Sequence, residues 1–169
     1  MTAEVTHLAF MYGTLKTTEA NHKVLFSRDP AGVTFIGEGQ TVDLYPLVVT
    51  TPFNIPFLLH QENAGKKIHG EIYQISETTL RLLDEFEGHP DFYERRKVKA
   101  ELLTDADGHH LRDGPKVLDV WLYCLPRFKK DLLDLPYLST YRGDGVVAPK
   151  YKTYTPDIDG RLDKYLHEL

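Results

Sequence analysis

The chain has 169 residues, enough for one domain with a sizeable core. With 41% hydrophobic and 27% charged residues it is composed like a soluble globular protein, and a formal net charge of −5 argues against a nucleic-acid partner, which needs a basic face. The single cysteine, Cys124, excludes an intrachain disulfide; with no secretory signal and no apolar run near the ~20 residues that span a bilayer, a cytoplasmic protein without membrane attachment is expected.

Residues 6–12 form an apolar run that stops at Gly13, the pattern of a buried strand. Residues 19–27 suit a short helix closed by Asp29-Pro30, and 33–41 and 42–50 read as two strands. A further strand is expected over 55–61, where Pro56 suits an edge or first position. After a turn at 63–67, residues 68–75 alternate, with Ile68, Gly70, Ile72 and Gln74 on one side and His69, Glu71, Tyr73 and Ile75 on the other. Ser76 is a good N-cap for a helix over 78–87, with Glu77 favourable to the helix dipole and Gly88 a natural stop. Strands over 92–103 and 117–125 flank the hairpin-type turn Asp105-Ala106-Asp107-Gly108. A helical turn is expected at 132–136, and a terminal helix over 159–169 would carry Leu162, Tyr165, Leu166 and Leu169 on one face. Many short strands with few helices predict one α+β domain built on a curled sheet or small barrel, with a core over about 6–142 and a tail over 143–169.

The helix carries the most suggestive acid. At about 100° per residue with Leu80 at 0°, Leu83 falls near 300°, Glu87 near 340°, Asp84 near 40° and Glu85 near 140°. Glu87 therefore lies between leucines on the apolar stripe, while Glu85 points away. Burial and the negative end of the helix dipole both raise the pKa of such a carboxyl, which suits general acid–base work. The other placement open to Glu87 is solvent, frayed beside Gly88. The second suggestive segment is Tyr12-Gly13-Thr14-Leu15, a strand end breaking into a turn. Consecutive N–H groups there can form a nest for a carboxylate or an oxyanion, or the segment is a plain turn.

Other residues have simpler readings. Cys124 sits in an apolar run and reads as a buried structural thiol. The basic stretch Glu94-Arg95-Arg96-Lys97-Val98-Lys99 reads as the solvated side of a strand. His109-His110 reads as solvated loop, and none of the eight histidines has metal-ligand spacing such as HExxH. The nucleophile-elbow, P-loop and dinucleotide-binding motifs are absent.

Several stretches, in order between Phe10 and about Glu101, resemble the γ-glutamylcyclotransferase-like (AIG2-like) superfamily. They are Tyr12-Gly13-Thr14-Leu15-Lys16, Asn21-His22 with Val24-Leu25, Tyr45-Pro46-Leu47-Val48, Asn54-Ile55-Pro56-Phe57-Leu58-Leu59-His60, Gly70-Glu71-Ile72-Tyr73, and Leu83-Asp84-Glu85-Phe86-Glu87 followed by Tyr93-Glu94-Arg95. The Asn-His, Tyr-Pro-Leu-Val and Asn-Ile-Pro segments resemble its γ-glutamylamine branch. The resemblance implies a small mixed β-barrel with flanking helices and a cavity for a γ-glutamyl group. It implies release of 5-oxoproline and a free amine from γ-glutamylamines such as γ-glutamyl-ε-lysine, with no cofactor or metal. It makes Glu87 the general acid/base and Tyr12, Gly13, Thr14 and Leu15 the substrate-binding loop. Tyr93 either lines the cavity or packs in the core, and Arg95 either faces the site or pairs with an acid. The expected partner is the small-molecule substrate alone, bound by a monomer. The competing readings are a cyclotransferase for γ-glutamyl-α-amino acids and a non-catalytic binding protein on the same scaffold. The joint presence of Glu87 and the intact loop favours an enzyme. The tail beyond Tyr141 has no match in the family and either covers the cavity mouth or docks on the surface.

Overall fold

The computed structural model describes residues 4–50, 54–61 and 63–143. Five strands close into a barrel in the order β1-β5-β2-β6-β7, where β1 is Thr6–Met11, β2 Val33–Thr41, β5 His69–Ser76, β6 Glu94–Leu102 and β7 Lys116–Cys124. Every ladder is antiparallel except the closing one, where β1 runs parallel to β7 at Ala9 and Trp121. A separate hairpin pairs β3, Leu47–Thr50, with β4, Ile55–Leu58. It is stitched to the barrel end where the Leu125 N–H donates to the Leu58 carbonyl at 2.7 Å. The α+β barrel expected from the sequence is therefore the fold.

Among the described residues the one α-helix, α1 (Glu77–Glu87), forms because both ends are specified locally. The Ser76 hydroxyl accepts from the Thr79 N–H, and Gly88 takes the left-handed conformation at φ 67° that only glycine adopts freely. Leu80 and Leu83 are buried against Ala9, Met11, Tyr73 and Ile75 on the outer face of β1 and β5. Alternate positions on the same strands, Phe10 and Ile72, join Ala100, Val120 and Leu122 in a second cluster that fills the barrel. Both faces of the sheet are thus buried, one by α1 and one by closure.

Two expected elements differ. The helix over 19–27 is a single 3-10 segment, His22–Phe26, without a side-chain N-cap. The Asn21 N–H is committed to the Thr14 carbonyl at 2.9 Å, so the chain folds back onto the glycine loop, and the remainder is too short to sustain an α-helix. The strand over 42–50 survives only as β3, because the Thr41 hydroxyl donates to the Asp43 carbonyl and turns the chain. The helical turn at 132–136 is the 3-10 segment Lys130–Asp134, and the terminal helix over 159–169 lies outside the described residues.

β2 bends at a bulge between Phe35 and Gly37, where the barrel curls tightly. A Cβ on Gly37 would lie 1.9 Å from the Thr104 carbonyl oxygen. Gly37→Ala is therefore expected to lower stability by ~1–3 kcal/mol, read as a lower urea midpoint at unchanged slope. A midpoint equal to wild type would show that the contact yields without strain.

Candidate active site

A cavity of about 400 Å³ opens where β1 ends, bounded by the 13–15 loop, β4, the last turn of α1 and Tyr123 of β7. The structure brings Tyr12, Gly13, Thr14, Leu15, Glu87 and Tyr93 together around it. Each arrives there for a local reason.

β1 delivers Tyr12, which is buried, with its hydroxyl donating to the Tyr123 carbonyl. Burial first, then the charge of Glu87, raises the Tyr12 phenol well above its ordinary range, so it stays neutral. Gly13 is needed for closeness: an added Cβ would lie 3.1 Å from Pro56 Cγ, so its bareness lets β4 close on the loop. The loop is then held by a turn from the Lys16 N–H to the Gly13 carbonyl at 3.2 Å. Two contacts from Asn21 complete it, Nδ2 to the Thr14 hydroxyl at 3.0 Å and N–H to the Thr14 carbonyl. Among the described residues, the main-chain N–H groups of Gly13, Thr14 and Leu15 find no acceptor. Three consecutive donors at a cavity wall suit a carboxylate or an oxyanion.

Glu87 enters from α1. It keeps part of its surface open and lines the cavity, yet burial raises its carboxyl to about 8. No donor among the described residues hydrogen-bonds its carboxylate. Its main-chain carbonyl accepts from the Tyr93 N–H at 3.3 Å, which ties the helix end to the start of β6. Tyr93 is buried, stacks on Phe57 at 6.0 Å between ring centroids, and donates its hydroxyl to the Pro56 carbonyl at 3.1 Å. It lines the cavity and packs in the core at once.

Arg95 does not reach the cavity; it pairs with Asp84 at 2.9 Å. Cys124 is buried with its thiol pushed up to about 11 by burial, and His109 and His110 are exposed. Asp105, Asp107 and His109 are the described residues grouped closely enough to hold a metal, but they lie on the β6–β7 loop away from the cavity. There Asp105 already accepts from the N–H groups of Asp107 and His109. Tyr123, Asn21, Phe86 and Phe92, which have no assigned role in the sequence pattern, also line the cavity. Asn21 lay within a family-like stretch and was open to assignment; Tyr123, inside an apolar strand, carried no signal of its own.

The family described as gamma-glutamyl cyclotransferase, AIG2-like, matches residues 9–143. A Homo sapiens protein named gamma-glutamylaminecyclotransferase is 35% identical over 145 residues, covering 85% of this chain and 95% of its own. A Rattus norvegicus protein of the same name is 37% identical over 142 residues, covering 84% and 93%. The crystal structure of an AIG2-like protein from Mus musculus superposes with a TM-score of 0.78 at 32% identity, over 91% of this chain and 98% of that one. A structure titled gamma-glutamyl cyclotransferase shares the fold, with a TM-score of 0.55 at 16% identity over 98% of this chain and 100% of that one. Barrel, cavity and family match agree, and the chain belongs to the AIG2-like gamma-glutamyl cyclotransferases.

Proposed function

We propose that this protein is a γ-glutamylamine cyclotransferase, releasing 5-oxoproline and a free amine, with Glu87 as general acid/base. The observation that carries the reading is Glu87 itself, a carboxyl raised to about 8 at a cavity wall shared with three main-chain donors that have no acceptor among the described residues. The substrate's α-amine attacks its own γ-carbonyl; a C–N bond forms, a five-membered ring closes, and the amide C–N bond breaks. Holding the glutamyl chain folded converts a flexible chain into a near-attack geometry, where effective molarities reach ~10⁵–10⁸ M. The α-amine must first lose a proton. Glu87, as its anion, takes that proton and passes one to the departing amine. The N–H groups of the 13–15 loop hold the α-carboxylate or the developing oxyanion.

The choice of an amine over an α-amino acid as leaving group rests on charge. Among the described residues lining the cavity none is Lys, Arg or His, and the acids are Glu85 and Glu87. A γ-glutamyl-α-amino acid carries a second carboxylate next to the scissile amide, with no cation there to meet it. A γ-glutamylamine carries none at that position; in γ-glutamyl-ε-lysine the lysine carboxylate stands four methylenes away from the scissile amide. A panel of γ-glutamylamines and γ-glutamyl-α-amino acids, with 5-oxoproline quantified, tests the assignment. The amines are expected to be favoured in kcat/KM by ~10-fold or more, the scale of one uncompensated charge contact. Equal or reversed rates would move the assignment to the amino-acid branch.

A further inference from the structure

The turn of α1 that carries Glu87 is held by a bridge with no part in the chemistry above. Asp84, one turn earlier, accepts the Tyr123 hydroxyl at Oδ1 at 2.7 Å. The same Oδ1 accepts Arg95 Nε at 2.9 Å, and Oδ2 accepts Arg95 Nη2 at 3.3 Å. Arg95 on β6 and Tyr123 on β7 stand directly opposite one another in the ladder, so one cross-strand pair holds one carboxylate. The side chains of Asp84 and Arg95 are only 23% and 18% exposed, and neither lines the cavity.

Each partner is itself fixed. The Arg95 guanidinium lies 4.3 Å from the Trp121 ring centroid, and its main-chain N–H donates to His89 Nδ1 at 2.9 Å, holding the segment that follows the helix. The main-chain carbonyl of Tyr123 accepts the Tyr12 hydroxyl. Tyr123 therefore touches both halves of the site, the strand that leads into the donor loop through its backbone and the helix of the acid through its phenol. A forked, charge-assisted pair that shares its acceptor with a phenol is far more directional than an exposed ion pair. Helix ends otherwise fray, and a misplacement of ~1 Å costs ~10²-fold in rate.

We propose that Asp84 and Arg95 are positioning residues: with Tyr123 they set the spacing between Glu87 and the 12–15 loop, and thereby kcat. The proposal rests on the reading of Glu87 as the proton carrier. The titratable and charged groups around Glu87 are Tyr12 at the end of β1, Tyr123 on β7, Tyr93 before β6 and, on its own helix, Glu85 paired to Arg28 and Asp84 paired to Arg95 of β6.

Asp84→Asn keeps the volume and one acceptor oxygen but removes the charge and the second acceptor. Its kcat for 5-oxoproline release is expected to fall ~10–100-fold with KM within about threefold of wild type, the split that lost orientation produces. Glu87, followed by carboxyl NMR, is expected to titrate below its wild-type value, because water at a loosened turn and an unpaired Arg95 both favour its anion. Arg95→Gln breaks the same bridge from the other side, so the double variant is expected to be no slower than the slower single variant. Should Asp84→Asn fail to fold, Tyr123→Phe, which keeps the ring and the ion pair, carries the same kcat test. A lower melting temperature with kcat per folded molecule and the Glu87 titration both unchanged overturns the proposal. If wild type releases no 5-oxoproline, the reading of the reaction falls by itself, and the Glu87 titration in Asp84→Asn still decides whether the bridge positions that carboxyl.

Discussion

Glu87→Gln is expected to lower 5-oxoproline release by ~10²–10⁴-fold, the usual worth of a positioned proton carrier, while leaving the fold in place. Glutamine matches glutamate in size and keeps a polar tip at the cavity wall, but it cannot take a proton from the substrate ammonium. The residual rate comes from the loop donors and from holding the glutamyl chain folded, neither of which the substitution touches. KM is therefore expected to move little, and kcat to carry the loss. The measurement is single-substrate kinetics on γ-glutamyl-ε-lysine beside circular dichroism of both proteins. A variant that retains near-normal turnover would remove Glu87 from the chemistry, whatever its place in the cavity.

Where the acid sits follows from helix periodicity. With Leu80 and Leu83 drawn into the core by β1 and β5, a residue at the angle of Glu87 has to follow them inward, and it does. The sequence was informative here because an amphipathic helix has one stripe to bury, and Ser76 and Gly88 define its ends. The loop at 12–15 was legible for a related reason: a buried strand that ends in glycine must turn, and N–H groups leaving a ladder there lose their partners.

What was not legible depends on pairing between distant strands. Tyr123 lies in the run from Val120 to Leu125, which reads only as core. Its place opposite Arg95, and hence beside Asp84, exists only once β6 and β7 have taken their register. Arg95 shows the same limit: its strand face was readable, but whether that face met a substrate or an acid was not. The short helix expected over 19–27 failed because a tertiary contact, Asn21 folding back onto Thr14, outcompeted a weak local preference. Local rules set the two halves of the site, and the barrel's register sets the distance between them.

The raised Glu87 carboxyl also fixes how stability depends on pH. Its ordinary value of 4.5 is moved to about 8 by burial in the folded protein. Between those values the folded chain holds a proton that the unfolded chain has released, so folding is favoured by acid through this group. Its contribution is fully present below the ordinary carboxylate range and is lost as pH rises toward 8. A tenfold change in proton affinity between the folded and unfolded chains is worth ~1.4 kcal/mol, and with the open side of the carboxyl screened by cavity water the loss across the window is ~2–4 kcal/mol. Cys124, pushed up from an ordinary 9.0 to about 11, begins to contribute only at the top of this window, and it is common to both proteins, so it cancels in their difference. Glu87→Gln removes the titration, so its stability is expected to stay flatter over the same range and to exceed wild type most near pH 8. Urea unfolding of both proteins from about pH 5 to about pH 8.5 checks this, with the difference between the two curves isolating the one carboxyl. Curves that run parallel would mean that Glu87 is already hydrated in the folded state. The opposition this creates is chemical: the anion that serves proton transfer is the form the fold tolerates least, so the working pH lies where stability is given up for activity.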